Sequence, residues 1–374
     1  MKPIHIAALI LCALSVTPAW GQQPASCKAK IPWSEFHFVN MQRYNPCETV
    51  LNTQNVGGLQ LKWSYFTSSY VWSSPAVVNG FVYYGSLDHN VYAVEARTGA
   101  KLWSYVTRNA VYASPAVANG VVYVGSYDGQ VYALTASTGA KLWSYATHSY
   151  VQSAPAVATG VVYIASMNGN VYALNPTTGA LVWSYTTGSS VWASPAVVNG
   201  VVYVGSDDFN VYALNARTGA LLWRYATGSM VLSSPAIANG VVYVGSNDGN
   251  VYALNATTGA LVWSYTTGNQ VWSSPAVAKG VVYIASSDNT VYALDASTGA
   301  LVWSYTTGAS VDSSPAVANG VAYIGSSDGN LYALNASTGA KLWSYAGPGG
   351  ESSPVVVNGV VYATGSYVYA FGLN

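Results

Sequence analysis

The sequence predicts an all-β fold: an eight-bladed β-propeller of four-stranded antiparallel blades, closed by an N-terminal strand that joins the C-terminal blade. Three observations predict it. Tryptophan recurs at intervals of forty, as Trp63, Trp103, Trp143, Trp183, Trp223, Trp263, Trp303 and Trp343. A proline segment recurs nearly in step, at Pro75, Pro115, Pro155, Pro195, Pro235, Pro275, Pro315 and Pro354. Between these marks lie short runs rich in β-branched and aromatic residues, separated by turn residues, and four such runs per repeat describe one propeller blade. The 3.6-residue apolar period that a helical solenoid needs is absent.

The chain opens with Lys2, an apolar stretch over residues 6–16 and the small-x-small triplet Ala19-Trp20-Gly21. This is the pattern of a secretory signal peptide, expected over residues 1–21. The apolar stretch is too short to span a bilayer, and no later segment has eighteen uninterrupted apolar residues, so no transmembrane segment is expected. The expected location is periplasmic or extracellular. Residues 22–58 form an N-terminal segment with Trp33, Phe36 and Phe38, expected to pack across the ring. Cys12 leaves with the leader, which leaves Cys27 and Cys47 in an oxidising compartment. A disulfide is the plain reading. Two sharper readings stand beside it. A lipid anchor on Cys27 wants an aliphatic residue three positions upstream, where Pro24-Ala25-Ser26 precedes it. A metal or catalytic thiol wants ligands nearby, and only His37 lies between the two cysteines.

The propeller is expected over residues 59–374. In one unit the first strand falls near residues 195–198, and Asn199-Gly200 turns the chain, because Asn-Gly tolerates the positive φ of a type I′ hairpin. The second strand covers 201–206, a loop 207–210, and the third strand 211–215. Thr218-Gly219 turns again into a fourth strand at 221–227. These strands lack a strictly polar face, as blades stacked on both sides require. The last unit ends without a Thr-Gly turn or a Trp strand, and the first Trp strand, 59–66, has no three strands before it. The latter is predicted to complete the former, which removes two open sheet edges.

The segment Ala293-Leu294-Asp295-Ala296-Ser297-Thr298-Gly299-Ala300-Leu301-Val302-Trp303 resembles the tryptophan-docking motif of the PQQ-repeat propellers, a group that includes quinoprotein dehydrogenases and assembly factors of the BamB type. The resemblance covers roughly residues 50–374. It implies that the eight repeat tryptophans lock neighbouring blades together. The motif's Asp is kept only at Asp295; the other units carry Glu95, Thr135, Asn175, Asn215, Asn255 and Asn335. The dehydrogenase branch implies PQQ with Ca²⁺, often covered by adjacent cysteines. This chain has no Cys-Cys pair, its carboxylates are scattered singly over different blades, and its even spacing leaves no insertion for a catalytic cap. No cofactor and no catalytic residue is therefore predicted.

Eight copies of one unit allow an internal comparison. The residue before the Ser/Ala-Ser/Ala-Pro segment varies as Trp72, Tyr112, Gln152, Trp192, Leu232, Trp272, Asp312 and Glu351. One such residue per innermost strand would make a circle at the channel mouth, enlarged by Tyr70, Tyr150, Met230 and Gln270. The functional reading is a ligand-contacting rim for a protein partner or a small planar or sugar ligand. The bland reading is that these residues pack between blades. Asp312 and Glu351, on adjacent blades, would suit general acid–base work only beside a nucleophile or cofactor, and none is apparent. Asp128-Gly129, Asp248-Gly249 and Asp328-Gly329 resemble pieces of calcium loops, yet Asp-Gly is ordinary turn chemistry. Asp207-Asp208 is the one denser pair, and His89 and His148 are isolated. Asn255-Ala256-Thr257 and Asn335-Ala336-Ser337 match the N-glycosylation pattern as a by-product of the repeat.

Charged residues make up only 7% of the chain, and acidic and basic residues balance at thirteen each. There is no basic stripe for phosphates, so nucleic acid is not expected as a partner. The leading expectation is a monomeric, non-catalytic binding or scaffold propeller like the assembly-factor branch. The alternatives are a PQQ-dependent dehydrogenase or its degenerate relative, and a carbohydrate-binding propeller.

Overall fold

Two residues with positive φ start each blade. Asn199 and Gly200 take φ of 49° and 77°, the left-handed pair that a two-residue hairpin demands. The strands Ala196–Val198 and Val201–Gly205 pair across this turn, from Val198↔Val201 to Ala196↔Tyr203. Asn210–Asn215 and Leu221–Ala226 follow as the third and fourth strands, with a register shift where the fourth passes Leu214. The same unit recurs in a computed structural model that describes Cys27, residues 33–37 and residues 41–374. The leader expected over residues 1–21 and Phe38 lie outside the described residues.

The innermost strands Ala76–Val78, Ala116–Ala118, Ala156–Ala158, Ala196–Val198, Ala236–Ala238, Ala276–Ala278, Ala316–Ala318 and Val355–Val357 define blades 1 to 8. Each blade is a sheet of four antiparallel strands, in sequence order in blades 1 to 7, and blade 7 gains the short parallel strand Tyr44–Asn45 on its inner edge. Both faces of a blade are buried: Val202, Val204, Ala213 and Leu214 of blade 4 have no exposed surface.

Blades are locked by one repeated contact. The indole N–H of Trp183 in blade 3 donates to the carbonyl of Ala216 in blade 4 at 2.9 Å, and the Tyr163 hydroxyl donates to the same oxygen at 3.1 Å. Gly219 lies on the Trp183 ring so closely that a Cβ there would sit 2.7 Å from Cε3. A second lock runs as a belt of serines. The Ser194 backbone N–H donates to Ser234 Oγ, Ser234 to Ser274, Ser274 to Ser314 and Ser314 to Ser353. Ser353 donates in turn to Ser74 Oγ, which binds blade 8 to blade 1. The belt is interrupted after Ser114, where the next blade carries Ala154 and has no hydroxyl to offer.

The predicted closure is present. Gln60–Phe66 pairs antiparallel with Tyr367–Gly372 as the outer strand of blade 8, from Gln60↔Gly372 to Phe66↔Tyr367. Blade 8 has no turn of its own to receive Trp343, whose indole N–H instead donates to Leu59 at 3.2 Å, and whose ring packs edge-on to Phe371.

The N-terminal segment packs into the ring, and its described residues pair with the innermost strands of blades 1 to 3 and 5 to 8. Backbone N–H groups of Val77, Val117 and Val157 in blades 1, 2 and 3 donate to Trp33 O, Ser34 O and Glu35 Oε2. Those of Ile237, Val277 and Val317 in blades 5, 6 and 7 donate to the carbonyls of Met41, Gln42 and Arg43. Asn45 Nδ2 then donates to Val356 O of blade 8. The physical reason is that eight inner edges would otherwise point unpaired amides into a narrow channel, and buried backbone donors must find partners. Cys27 and Cys47 form a disulfide with Cα atoms 5.3 Å apart, tying the start of this segment to its end.

Candidate functional site

The eight variable residues come together. Trp72, Tyr112, Gln152, Trp192, Leu232, Trp272, Asp312 and Glu351 line one cavity of about 470 Å³ on the channel axis. It sits at the wheel end that carries the loops before each first strand. The serine belt forms its lower wall and Phe36 of the N-terminal segment its floor, so the cavity is a cup. Its size falls within the roughly 300–1,000 Å³ of small-molecule sites.

The rim is uneven around its circumference. An aromatic ladder crosses blades 1 to 3. Trp72 meets Tyr112 edge-on at 5.3 Å, Tyr112 stacks on Tyr127 at 4.1 Å, and Tyr127 stacks on Tyr150 at 4.7 Å. Tyr127 was not singled out in the sequence, although it is the only aromatic at a position filled elsewhere by Leu87, Met167, Asp207, Asn247, Ser287 and Ser327. Its hydroxyl donates to Gln152 Oε1. Trp192, Leu232 and Trp272 continue around blades 4 to 6. Asp207 accepts a hydrogen bond from Trp192, and burial raises its carboxyl above the usual range. The Trp272 N–H donates to Gln270 Oε1 at 3.0 Å. Tyr70 is 55% exposed at the outer lip.

Blades 7 and 8 complete the circle with acids. Asp312 accepts hydrogen bonds from the hydroxyls of Ser287 at 2.8 Å and Ser310 at 2.8 and 2.9 Å. The Glu351 carboxyl is pushed up, first by desolvation and then by the charge of Asp312. The two acids therefore feel each other, and among the described residues no Lys, Arg or His lines the cup.

The floor is held from below by a buried ionisable group. Arg43 has no exposed surface, and its guanidinium lies 4.5 Å from the centre of the Phe36 ring. Its nitrogens donate to the carbonyls of Phe36 at 2.6 Å, Pro315 at 2.9 Å and Pro354 at 3.0 Å. Burial pushes Arg43 down to about 9, which leaves it charged at neutral pH. Burial and then the charge of Arg43 hold His37 down to about 3, so it is neutral. Burial raises Glu35 to about 7, partly offset by the Val157 N–H. Sequence reasoning missed these residues because the segment carries no repeat against which they could stand out.

A pH dependence follows from Glu35. Its folded pKa lies above the unfolded value of about 4.5. Its contribution to stability is therefore fully present below pH 4.5 and lost as pH rises through about 7, by about 3 kcal/mol. Relative to Glu35→Gln, the wild type is expected to lose that amount between pH 4.5 and 8 in urea titrations. The paired comparison cancels the opposite trend from His37, which loses stability as pH falls from 6.5 towards 3. An equal stability difference at both ends of the range would show that Glu35 ionises as freely folded as unfolded.

The remaining candidates have structural duties. Asp128 Oδ1 accepts the Gln130 N–H, and Oδ2 accepts the Tyr132 hydroxyl and the Arg108 N–H of the neighbouring loop. Asp248 and Asp328 repeat this pattern, as does Asp208 of the denser pair. Each carboxylate thus ties a turn to the loop beside it. Asn255 and Asn335 accept backbone N–H groups two and three residues ahead, which shapes the Thr-Gly turn. His89 and His148 lie in separate exposed turns. Among the described residues no group of three or more His, Cys, Asp or Glu converges as a metal site would need, and no helix is long and apolar enough to cross a membrane. The cup does not suit the PQQ and Ca²⁺ that the resemblance implies. PQQ is a polycarboxylate, and among the described residues the lining offers it two acids and no basic partner.

In sequence, residues 53–190, 147–267 and 211–373 match the family described as outer membrane protein assembly factor BamB. No curated protein matches the chain. In structure, BamB from Moraxella catarrhalis is similar at a TM-score of 0.74 and 20% identity, over 84% of this chain and 100% of that one. Quinohemoprotein alcohol dehydrogenase from Comamonas testosteroni is similar at 0.80 and 19%, over 91% and 80%. The computationally designed Ika8 protein is similar at 0.76 and 20%, over 84% and 100%. At these identities the shared property is the fold.

Proposed function

The chain belongs to the family described as outer membrane protein assembly factor BamB, and from that premise we propose that it is a non-catalytic binding propeller of the periplasm or extracellular space, working as a monomer through its cup. The observation that carries this reading is the cup itself. The positions where the eight copies differ most converge on one cavity and leave Trp72, Trp192 and Trp272 about two-fifths exposed at its mouth. Large rings offered to solvent around a concave site are characteristic of recognition, because they supply contact area at little cost in side-chain entropy. The Cys27–Cys47 bridge and the leader pattern support an oxidising compartment.

Trp192 separates binding from folding. Trp192→Ala is expected to cost no more than about 1 kcal/mol, because the ring lies at the mouth of the cup and its loss removes one hydrogen bond to Asp207. It is also expected to abolish retention of the species that the immobilised wild type holds back from envelope extract. Unchanged retention by Trp192→Ala would remove the cup from the binding surface. Dye-linked alcohol oxidation by the wild type on addition of PQQ and Ca²⁺ would overturn the non-catalytic reading.

A further inference from the structure

We propose that the quadrant of the cup where Asp312 and Glu351 stand between Trp272 and Trp72 binds an alkylated ammonium ion, the cationic head of a choline-like molecule. This rests on the reading of the cup as a binding site and names the chemistry of its ligand.

The order of residues around the rim carries the inference. Blade 6 presents Trp272, blade 7 Asp312, blade 8 Glu351 and blade 1 Trp72, so two neighbouring carboxylates are flanked on both sides by an indole. Both rings are held in place by neighbours on the rim. Trp272 is tethered to Gln270, and Trp72 packs edge-on to Tyr112. An aromatic face attracts a cation through its quadrupole, and an anion beside it adds the Coulomb term.

Among the described residues neither carboxylate of this quadrant is in an ion pair. The groups that hydrogen-bond Asp312 are neutral hydroxyls. Among the described residues the one ion pair, Arg97 with Glu95, lies at the opposite end of the wheel. The whole molecule is polarised in the same sense. Asp88, Asp128, Asp208, Asp248, Asp288 and Asp328 occupy the turns at the cup end, with Arg108 as the exposed base among them. At the other end Arg97, Arg217 and Lys279 sit in turns, and Lys101, Lys141 and Lys341 begin outer strands. A cation is therefore drawn to the cup end before it reaches the rim.

The kind of cation follows from what the quadrant lacks. Calcium and magnesium want six or more oxygen ligands, and among the described residues no third carboxylate joins the pair. A bare ammonium is strongly hydrated and would lose that water against indole faces. An alkylated ammonium spreads its charge over methyl groups, is weakly hydrated and presents an apolar surface to the rings; aromatic cages recognise it for this reason. The cavity is larger than such a head group, which leaves room for the rest of a ligand over the aromatic ladder of blades 1 to 3. The charge of Arg43 beneath Phe36 disfavours a cation at the floor and keeps the head group at rim level.

The test compares choline with 3,3-dimethylbutan-1-ol, its neutral carbon isostere, by calorimetric titration of the full chain. Choline is expected to bind about tenfold more tightly than the isostere, and Asp312→Asn/Glu351→Gln to remove that preference. Phosphatidylcholine and phosphatidylglycerol vesicles resolve the source. Co-sedimentation with the former alone assigns a lipid head group, and binding of choline without co-sedimentation assigns a free solute. Equal affinity for choline and the isostere, or a preference that survives the double substitution, overturns the cation site while leaving the cup a binding site. The wild-type comparison needs no variant to fold. If choline, the isostere and glucose all fail to bind, and Trp192→Ala also retains every species that the wild type holds, the cup fails as a binding site altogether.

Discussion

Trp183→Ala is expected to lower the unfolding free energy by about 3–5 kcal/mol, the cost of truncating a large buried aromatic. The ring is 8% exposed and fills the gap between blades 3 and 4. Its loss opens a cavity at a joint that each blade shares only with its neighbours, as in other repeat folds. The hydrogen bond is the smaller part of the effect, because Tyr163 still donates to the Ala216 carbonyl after the indole is gone. Gly219→Ala probes the same joint from the other side. Gly219 has φ of +74° and lies against the indole face, so a methyl group both strains the backbone and displaces the ring. Urea titrations followed by circular dichroism measure both variants. A midpoint for Trp183→Ala close to that of Trp192→Ala would mean that the repeated indoles do not hold the wheel together.

Arg43→Ala is expected to cost a similar amount, about 3–5 kcal/mol, for a different reason. The guanidinium supplies donors to the carbonyls of Phe36, Pro315 and Pro354 at the convergence of the N-terminal segment with blades 7 and 8. Removing it leaves those oxygens buried without partners and releases the floor of the cup from below. Arg43→Lys keeps the charge but cannot fork to three carbonyls, so it should fall between the wild type and the alanine variant. The segment should also become easier to cleave in Arg43→Ala, which limited proteolysis reads directly. Stability at or above the wild-type level in Arg43→Ala would mean that the desolvated charge costs more than its hydrogen bonds return.

The blade, the number of blades and the closure were all legible in the sequence, because each is a local or counting property. Asn199-Gly200 dictates its turn through backbone sterics, and a short run of β-branched and aromatic residues bounded by turn residues reads as a strand. Eight Trp strands beside one incomplete final unit leave Gln60–Phe66 only one vacant edge to fill. The circle of variable residues was legible for the same reason, since a repeat makes its own exceptions visible.

Tertiary structure alone decided the rest. The route of the N-terminal segment depends on unpaired amides that exist only once eight inner edges face a common axis, and nothing periodic in residues 33–45 announces it. The same convergence turned Asp312 and Glu351, thirty-nine residues apart, into neighbours that feel each other's charge, and made Tyr127 part of the rim. It also decided that the repeated Asp residues tie turns to loops, because their second partner lies in a loop about twenty residues away. Local sequence sets backbone conformation through short-range sterics, whereas burial, unpaired donors and charge proximity are properties of the closed ring.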